Sequence, residues 1–155
     1  MWEIKTRQSI LIRRPAQTIF ACLSDLENMV GWSSALISVQ KMTPEAVCPG
    51  TLVKSTICFF EQWVEIIFEI VEYEPVRYLS FKSIEGIVPC LFCYQFEPVQ
   101  GAGTVISEEA TIHLLTLPCG LTEQEVTEAL GCQIEGDLQT LKHLLEASAS
   151  AYGGL

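Results

Sequence analysis

The stretch TEQEVTEALGCQIEGDLQTLKHLL, residues 122–145, decides the architecture. Val126, Leu130, Ile134, Leu138, Leu141 and Leu145 recur every three or four positions, the spacing of one face of an α-helix. Thr122, with Glu125 three residues on, forms a capping box that fixes the start. The predicted helix over 125–147 is about 36 Å long with its cap, at about 1.5 Å per residue. Gly131 and Gly136 interrupt it, each at about 1 kcal/mol relative to alanine. They mark a close approach to something bulky or a bend, or are tolerated without purpose. The small-residue tail over 148–155 is expected to fray. An apolar stripe this long needs a continuous apolar surface to lie on.

The preceding chain supplies it. A strand is predicted over 5–13, then Pro15 starts a short helix over Ala16 to Leu23. A second short helical segment covers Leu26 to Ala35. Six strands follow: Leu36 to Met42, Thr51 to Phe60, Gln62 to Tyr73, Val76 to Ser83, Leu91 to Glu97 and Thr104 to Leu117. In the third of these, Val64, Ile66, Phe68 and Ile70 share one face while Glu61, Glu65 and Glu69 share the other. Hairpin-length turns make the sheet antiparallel and leave no βαβ unit. The fold class is therefore α+β. A curved seven-stranded antiparallel sheet wraps around one long C-terminal helix, in a single domain over 1–155 with its core over about 5–147. Such a sheet and one straight helix meet well only at their ends, so a space is expected between them.

Composition bounds the partners. Apolar residues make up 49% of the 155 and charged residues only 18%, which excludes a mainly disordered chain. The net charge is −10. Residues 83–155 hold ten acidic groups and one basic group, Lys142. No basic stripe is present to meet a phosphate backbone, and an anionic membrane surface is an equally poor partner, so neither nucleic acid nor membrane insertion is expected. The start, Met1-Trp2-Glu3-Ile4-Lys5, has no basic stretch before an apolar run, and the seven cysteines follow no disulfide framework. The expectation is a cytoplasmic protein with free thiols. Homo-oligomers remain open.

The motifs now fall in a family order. Ile12-Arg13-Arg14-Pro15-Ala16-Gln17-Thr18-Ile19-Phe20 resembles the "apolar, x, Ala-Pro-x-x-x-Val-Phe/Trp" lead into the first helix, with proline and alanine exchanged. Leu23-Ser24-Asp25-Leu26-Glu27-Asn28 with Trp32 resembles its "Asp-x-Glu-x-x-x-x-Trp" segment. Gly50-Thr51, Ile70 to Arg77, Tyr94 to Pro98, Gly103-Thr104-Val105 and Gly136 to Lys142 resemble the turns, hairpins and helix end that follow. Together they resemble the START-like helix-grip superfamily, and within it the polyketide cyclase/dehydrase and lipid-transport proteins. The resemblance implies a cavity for a lipid-like or polyketide-like molecule. It brings no catalytic signature and no cofactor.

Candidate site residues come from strand phase. Glu108 shares the inward phase of Ile106 and Ala110, so it is the acid/base candidate, and burial would raise its pKa unless it is paired. Pairing with Arg77, Lys82 or Lys54 or exposure at an edge, ligand contact, and catalysis are its three readings. The cavity walls are expected from Trp32, Val64, Ile66, Phe68, Tyr78, Phe92, Tyr94, Phe96, Ala110, Ile112, Ile134 and Leu138. Trp63 joins Trp32, Tyr78 and Tyr94 among the aromatics whose polar tips suit ligand orientation or plain packing. His113 has the outward phase, and would face the cavity only if a bulge reversed the strand. His143 sits near the negative end of the helix. Cys90 and Cys93, three apart in a strand, face opposite sides, so neither a metal site nor a redox pair is expected.

Three functions are carried forward. The first is an intracellular protein that binds a hydrophobic small molecule between helix and sheet. The second is a polyketide cyclase/dehydratase using Glu108 or a tyrosine as acid or base. The third is a protein-interaction module whose cavity has collapsed.

Overall fold

The computed structural model describes residues 1–151, with side chains described to 148. Seven strands form one antiparallel sheet in the order β1-β7-β6-β5-β4-β3-β2. They are β1 Trp2–Ile12, β2 Leu36–Lys41, β3 Leu52–Phe59, β4 Gln62–Glu74, β5 Tyr78–Glu85, β6 Cys90–Val99 and β7 Gly103–Leu114. The last six strands run as a meander, and β1 closes against β7 over its full length, from Trp2 opposite Leu114 to Ile12 opposite Thr104. Register shifts in the β2–β3 and β4–β5 pairs bend the sheet.

Two helices complete the fold. Helix α1, Ala16–Ser24, buries Ala16, Ile19, Phe20 and Leu23. Helix α2, Glu123–Ala151, crosses the concave face. Its capping box is formed in both directions. The Glu125 amide donates to Thr122 Oγ1 at 3.1 Å, and the Thr122 amide donates to Glu125 Oε1 at 3.1 Å. The predicted stripe is buried from Val126 through Leu145. The far end of α2 is pinned to the β1–α1 junction. Lys142 Nζ donates to the Leu11 carbonyl at 2.7 Å, Arg14 donates to the Leu145 carbonyl at 2.6 Å, and the Arg13 amide donates to Glu146 at 2.9 Å. The tail expected to fray is helical as far as Ala151, and 152–155 lie outside the described residues.

Several boundaries differ from the sequence reading. The second helical segment is a 3-10 turn over Leu26–Gly31, and Ala35 leads directly into β2. Strand β5 begins at Tyr78, because Val76 takes a φ of +61° in a turn closed by the Arg77 amide on the Glu74 carbonyl. Strand β7 stops at Leu114, and the chain then enters a short 3-10 turn at Pro118–Gly120. Gly103 is a position where only glycine fits. Its φ is +130°, and a Cβ there would run into the Ile12 carbonyl of β1. The helix glycines divide. A Cβ on Gly131 would meet Gln8 and Thr6 of β1 at 3.1 and 3.2 Å, so Gly131 lets the helix approach the sheet and not a ligand. Nothing crowds Gly136.

Candidate functional site

The expected space between α2 and the sheet is present, with a volume of about 110 Å³. Its deep walls come from β3, β4, β5, β6 and β7: Ser55, Phe68, Phe81, Phe92, Tyr94 and Ile112. Helix α2 supplies Leu130, Gln133, Ile134 and Asp137 as the roof. Strand β2 and the outer end of β3 supply Leu36, Val39, Ile57 and Phe59, all only half-buried, so they form the mouth. The cavity is thus apolar at its opening and polar at one deep corner.

That corner holds Tyr94, Glu108 and Asp137. Tyr94 and Glu108 are register partners across β6 and β7, which places their side chains side by side on the same face. Both are buried, at 4% and 5% exposure. Asp137 reaches down from α2, one helical turn beyond Ile134, and accepts a hydrogen bond from the Ser34 amide at 3.0 Å. Burial pushes the Glu108 carboxyl up to about 8. The Tyr94 hydroxyl pulls against that shift, and the nearby Asp137 adds to it. Burial raises Asp137 as well, against the pull of its Ser34 hydrogen bonds. The Tyr94 phenol is raised by burial and then by the Glu108 charge. Near neutrality the corner therefore favours a protonated Glu108, a hydrogen-bond donor in an apolar chamber.

The cations considered as partners for Glu108 lie elsewhere. Lys54 pairs with Glu65 at 3.6 Å, Arg77 pairs with Glu74 at 3.0 Å, and Lys82 is exposed. The structure thus corrects the pairing reading of Glu108. Its neighbour Glu109 points outward and pairs with Lys5 at 3.5 Å.

Of the expected wall residues, Phe68, Phe92, Tyr94, Ile112 and Ile134 line the cavity together with Glu108. Val64, Ile66, Ala110 and Leu138 are buried but pack in the core beside the cavity. Phe96 lies under α1, its ring 5.2 Å from that of Phe20. Trp32 is buried against the edge of Tyr94, at a centroid distance of 6.2 Å, outside the cavity wall. Tyr78 faces the opposite side of the sheet, with the Arg77 guanidinium 5.5 Å from its ring centre. The reason is phase: Leu79 and Phe81 take the inward positions of β5, so Tyr78 points out. Trp63 is 73% exposed on the outer face of β4.

His113 is half-buried opposite Glu3 and is not a cavity residue, in line with its outward phase. Cys90 is buried with its thiol pushed up to about 12, chiefly by burial, while Cys93 is half-buried across the sheet. Sequence reasoning missed Asp137, Gln133, Ser55 and Phe81 as lining residues. Asp137 carried a visible signal. It lies seven residues after Leu130, so it interrupts the buried stripe of α2 with a carboxylate.

Residues 3–146 match the family described as polyketide cyclase/dehydrase and lipid transport. The chain belongs to that family. Solved structures similar to this family member agree on its fold. A START superfamily protein from Mycobacterium smegmatis superimposes with a TM-score of 0.78 at 13% identity, covering 92% of this chain and 97% of that one. The Zhui aromatase/cyclase from Streptomyces sp. R1128 gives 0.77 at 15% identity, covering 99% and 100%. A protein from Thermus thermophilus gives 0.75 at 21% identity, covering 96% and 99%. At these identities the likeness is one of fold, the helix-grip fold. Comparison with curated proteins gives no match. No helix among the described residues is long and apolar enough to cross a membrane.

Proposed function

We propose that this family member is an intracellular binding protein for a small hydrophobic molecule. The molecule's body lies against Phe68, Phe81 and Phe92, and its polar group meets Tyr94, Glu108 and Asp137. One observation carries the reading: an open chamber of about 110 Å³ has largely apolar walls and a buried corner of ionisable groups. Binding sites for small molecules commonly combine an apolar lining with a few convergent polar groups. A collapsed, purely packed core would leave no such space. An apolar cavity of about 150 Å³ takes up a benzene-sized molecule. The chamber is somewhat smaller, so it suits at most a single ring or the end of a chain, with any remainder leaving past Leu36 and Phe59. Seven unpaired cysteines fit a reducing compartment.

Native mass spectrometry of freshly purified protein tests this reading. The expected result is an apolar adduct of matching size, removed by organic solvent. A chain that carries no adduct and binds no apolar probe would contradict it.

A second reading is favoured by the protonated Glu108 beside Tyr94. Such a pair can donate a proton to a carbonyl or hydroxyl oxygen, as aldol closure and loss of water require. In this reading Glu108 is the general acid of a cyclase/dehydratase. Turnover of a short polyketide mimic, lost in Glu108→Gln with binding retained, would favour the enzyme.

A further inference from the structure

The charges around the cavity narrow the ligand further. The ionisable groups that face it are Glu108 from β7, Tyr94 from β6, Asp137 from α2 and the Cys58 thiol from β3. Among the described residues, no lysine, arginine or histidine stands in its walls. Glu108, only 5% exposed, faces the chamber without a cation from any strand or helix packed around it. Two carboxyl groups in such a place are only partly served by the Tyr94 hydroxyl and the Ser34 amide. Ionised, they lack hydration and repel each other; protonated, they forgo their strongest interactions.

A ligand that brings a positive charge would resolve both problems. Aromatic side chains also line the chamber, and aromatic rings can attract cations. The Phe68 and Phe92 rings lie 5.9 Å apart edge-on, and Phe81 stands 6.2 Å from Tyr94. A carboxylate ligand would instead meet two carboxyl groups and no counter-ion.

The geometry points to a small organic ammonium on a one-ring body as the ligand class, its cationic head between Glu108 and Asp137 and its ring against Phe68, Phe81 and Phe92. This rests on reading the cavity as a binding site. Binding should also release a proton, because the ammonium favours the ionised form of Glu108.

Isothermal titration with three probes of matched shape tests the assignment: phenethylamine, 2-phenylethanol and 3-phenylpropanoate. Phenethylamine should bind roughly tenfold or more tighter than 2-phenylethanol, with 3-phenylpropanoate unbound. Its heat should vary with the ionisation enthalpy of the buffer, whereas that of the alcohol should not. Glu108→Gln and Asp137→Asn should each narrow the gap in affinity between the amine and the alcohol, and Glu108→Gln should remove the buffer dependence of the amine's heat. Equal or tighter binding of the alcohol, or saturable binding of the anion, would overturn the ammonium assignment and leave the cavity reading standing. Failure of all three probes would overturn both. The series on the unmodified chain decides the matter even where a variant does not fold.

Discussion

Tyr94 and Glu108 face each other as register partners on β6 and β7, and both side chains enter the chamber beneath α2. Burial there makes Glu108 a pH-dependent element of stability. Its carboxyl moves from 4.5 to about 8 on folding, so between those values the folded chain holds a proton that the unfolded chain has lost. Stability from this group therefore falls as pH rises across that window, by up to ~1.4 kcal/mol per pH unit, and levels off above it. Urea unfolding from pH 5 to 9 should show this slope in the unmodified chain and a flatter one in Glu108→Gln. Equal slopes would contradict the placement of Glu108.

The grip of α2 rests on burial. Leu141 is fully buried and Leu144, three residues on, is 47% exposed. Leu141→Ala should destabilise by about 2–5 kcal/mol, and Leu144→Ala by about 0.5 kcal/mol or less. Chemical denaturation of the pair measures the difference, and similar losses would mean that the helix face is misassigned.

The start of that helix is a separate test. Thr122→Ala removes the acceptor for the Glu125 amide and should cost about 1 kcal/mol. Thr122→Ser, which keeps the oxygen, should retain most of that stability in thermal unfolding.

Thiol chemistry reports how deeply β6 is packed. Cys48, Cys119 and Cys132 are exposed, whereas Cys90 is buried with a thiol raised to about 12. Alkylation followed by peptide mass mapping should label the first three quickly and Cys90 only after unfolding. Early labelling of Cys90 would contradict the packing of β6.

The sequence was most informative where periodicity and chemistry agreed. The α2 stripe, the Thr122–Glu125 cap and the alternation in β4 each fixed an element, and the phase of Ile106 and Ala110 was enough to turn Glu108 inward. Face did not reveal depth. Val64, Ile66, Ala110 and Leu138 point the expected way, yet neighbouring side chains fill the space before them. A positive φ at Val76 moved the start of β5 past the hydrophobic pattern, while Tyr78 has a residue type suited to either face. Asp137 was legible as a break in the buried stripe, but its convergence with Tyr94 and Glu108 depends on how the helix lies across the sheet.

The central claim is that the chamber between α2 and the sheet takes a small ring-bearing molecule. The most direct measurement is a heteronuclear NMR titration with 2-phenylethanol, a neutral probe that asks only about the cavity. The account predicts saturable shifts concentrated at Phe92, Tyr94, Ile112 and Ile134, with Tyr78 and Trp63 on the outer face unmoved. Shifts that do not saturate, or that centre on the outer face, would contradict it.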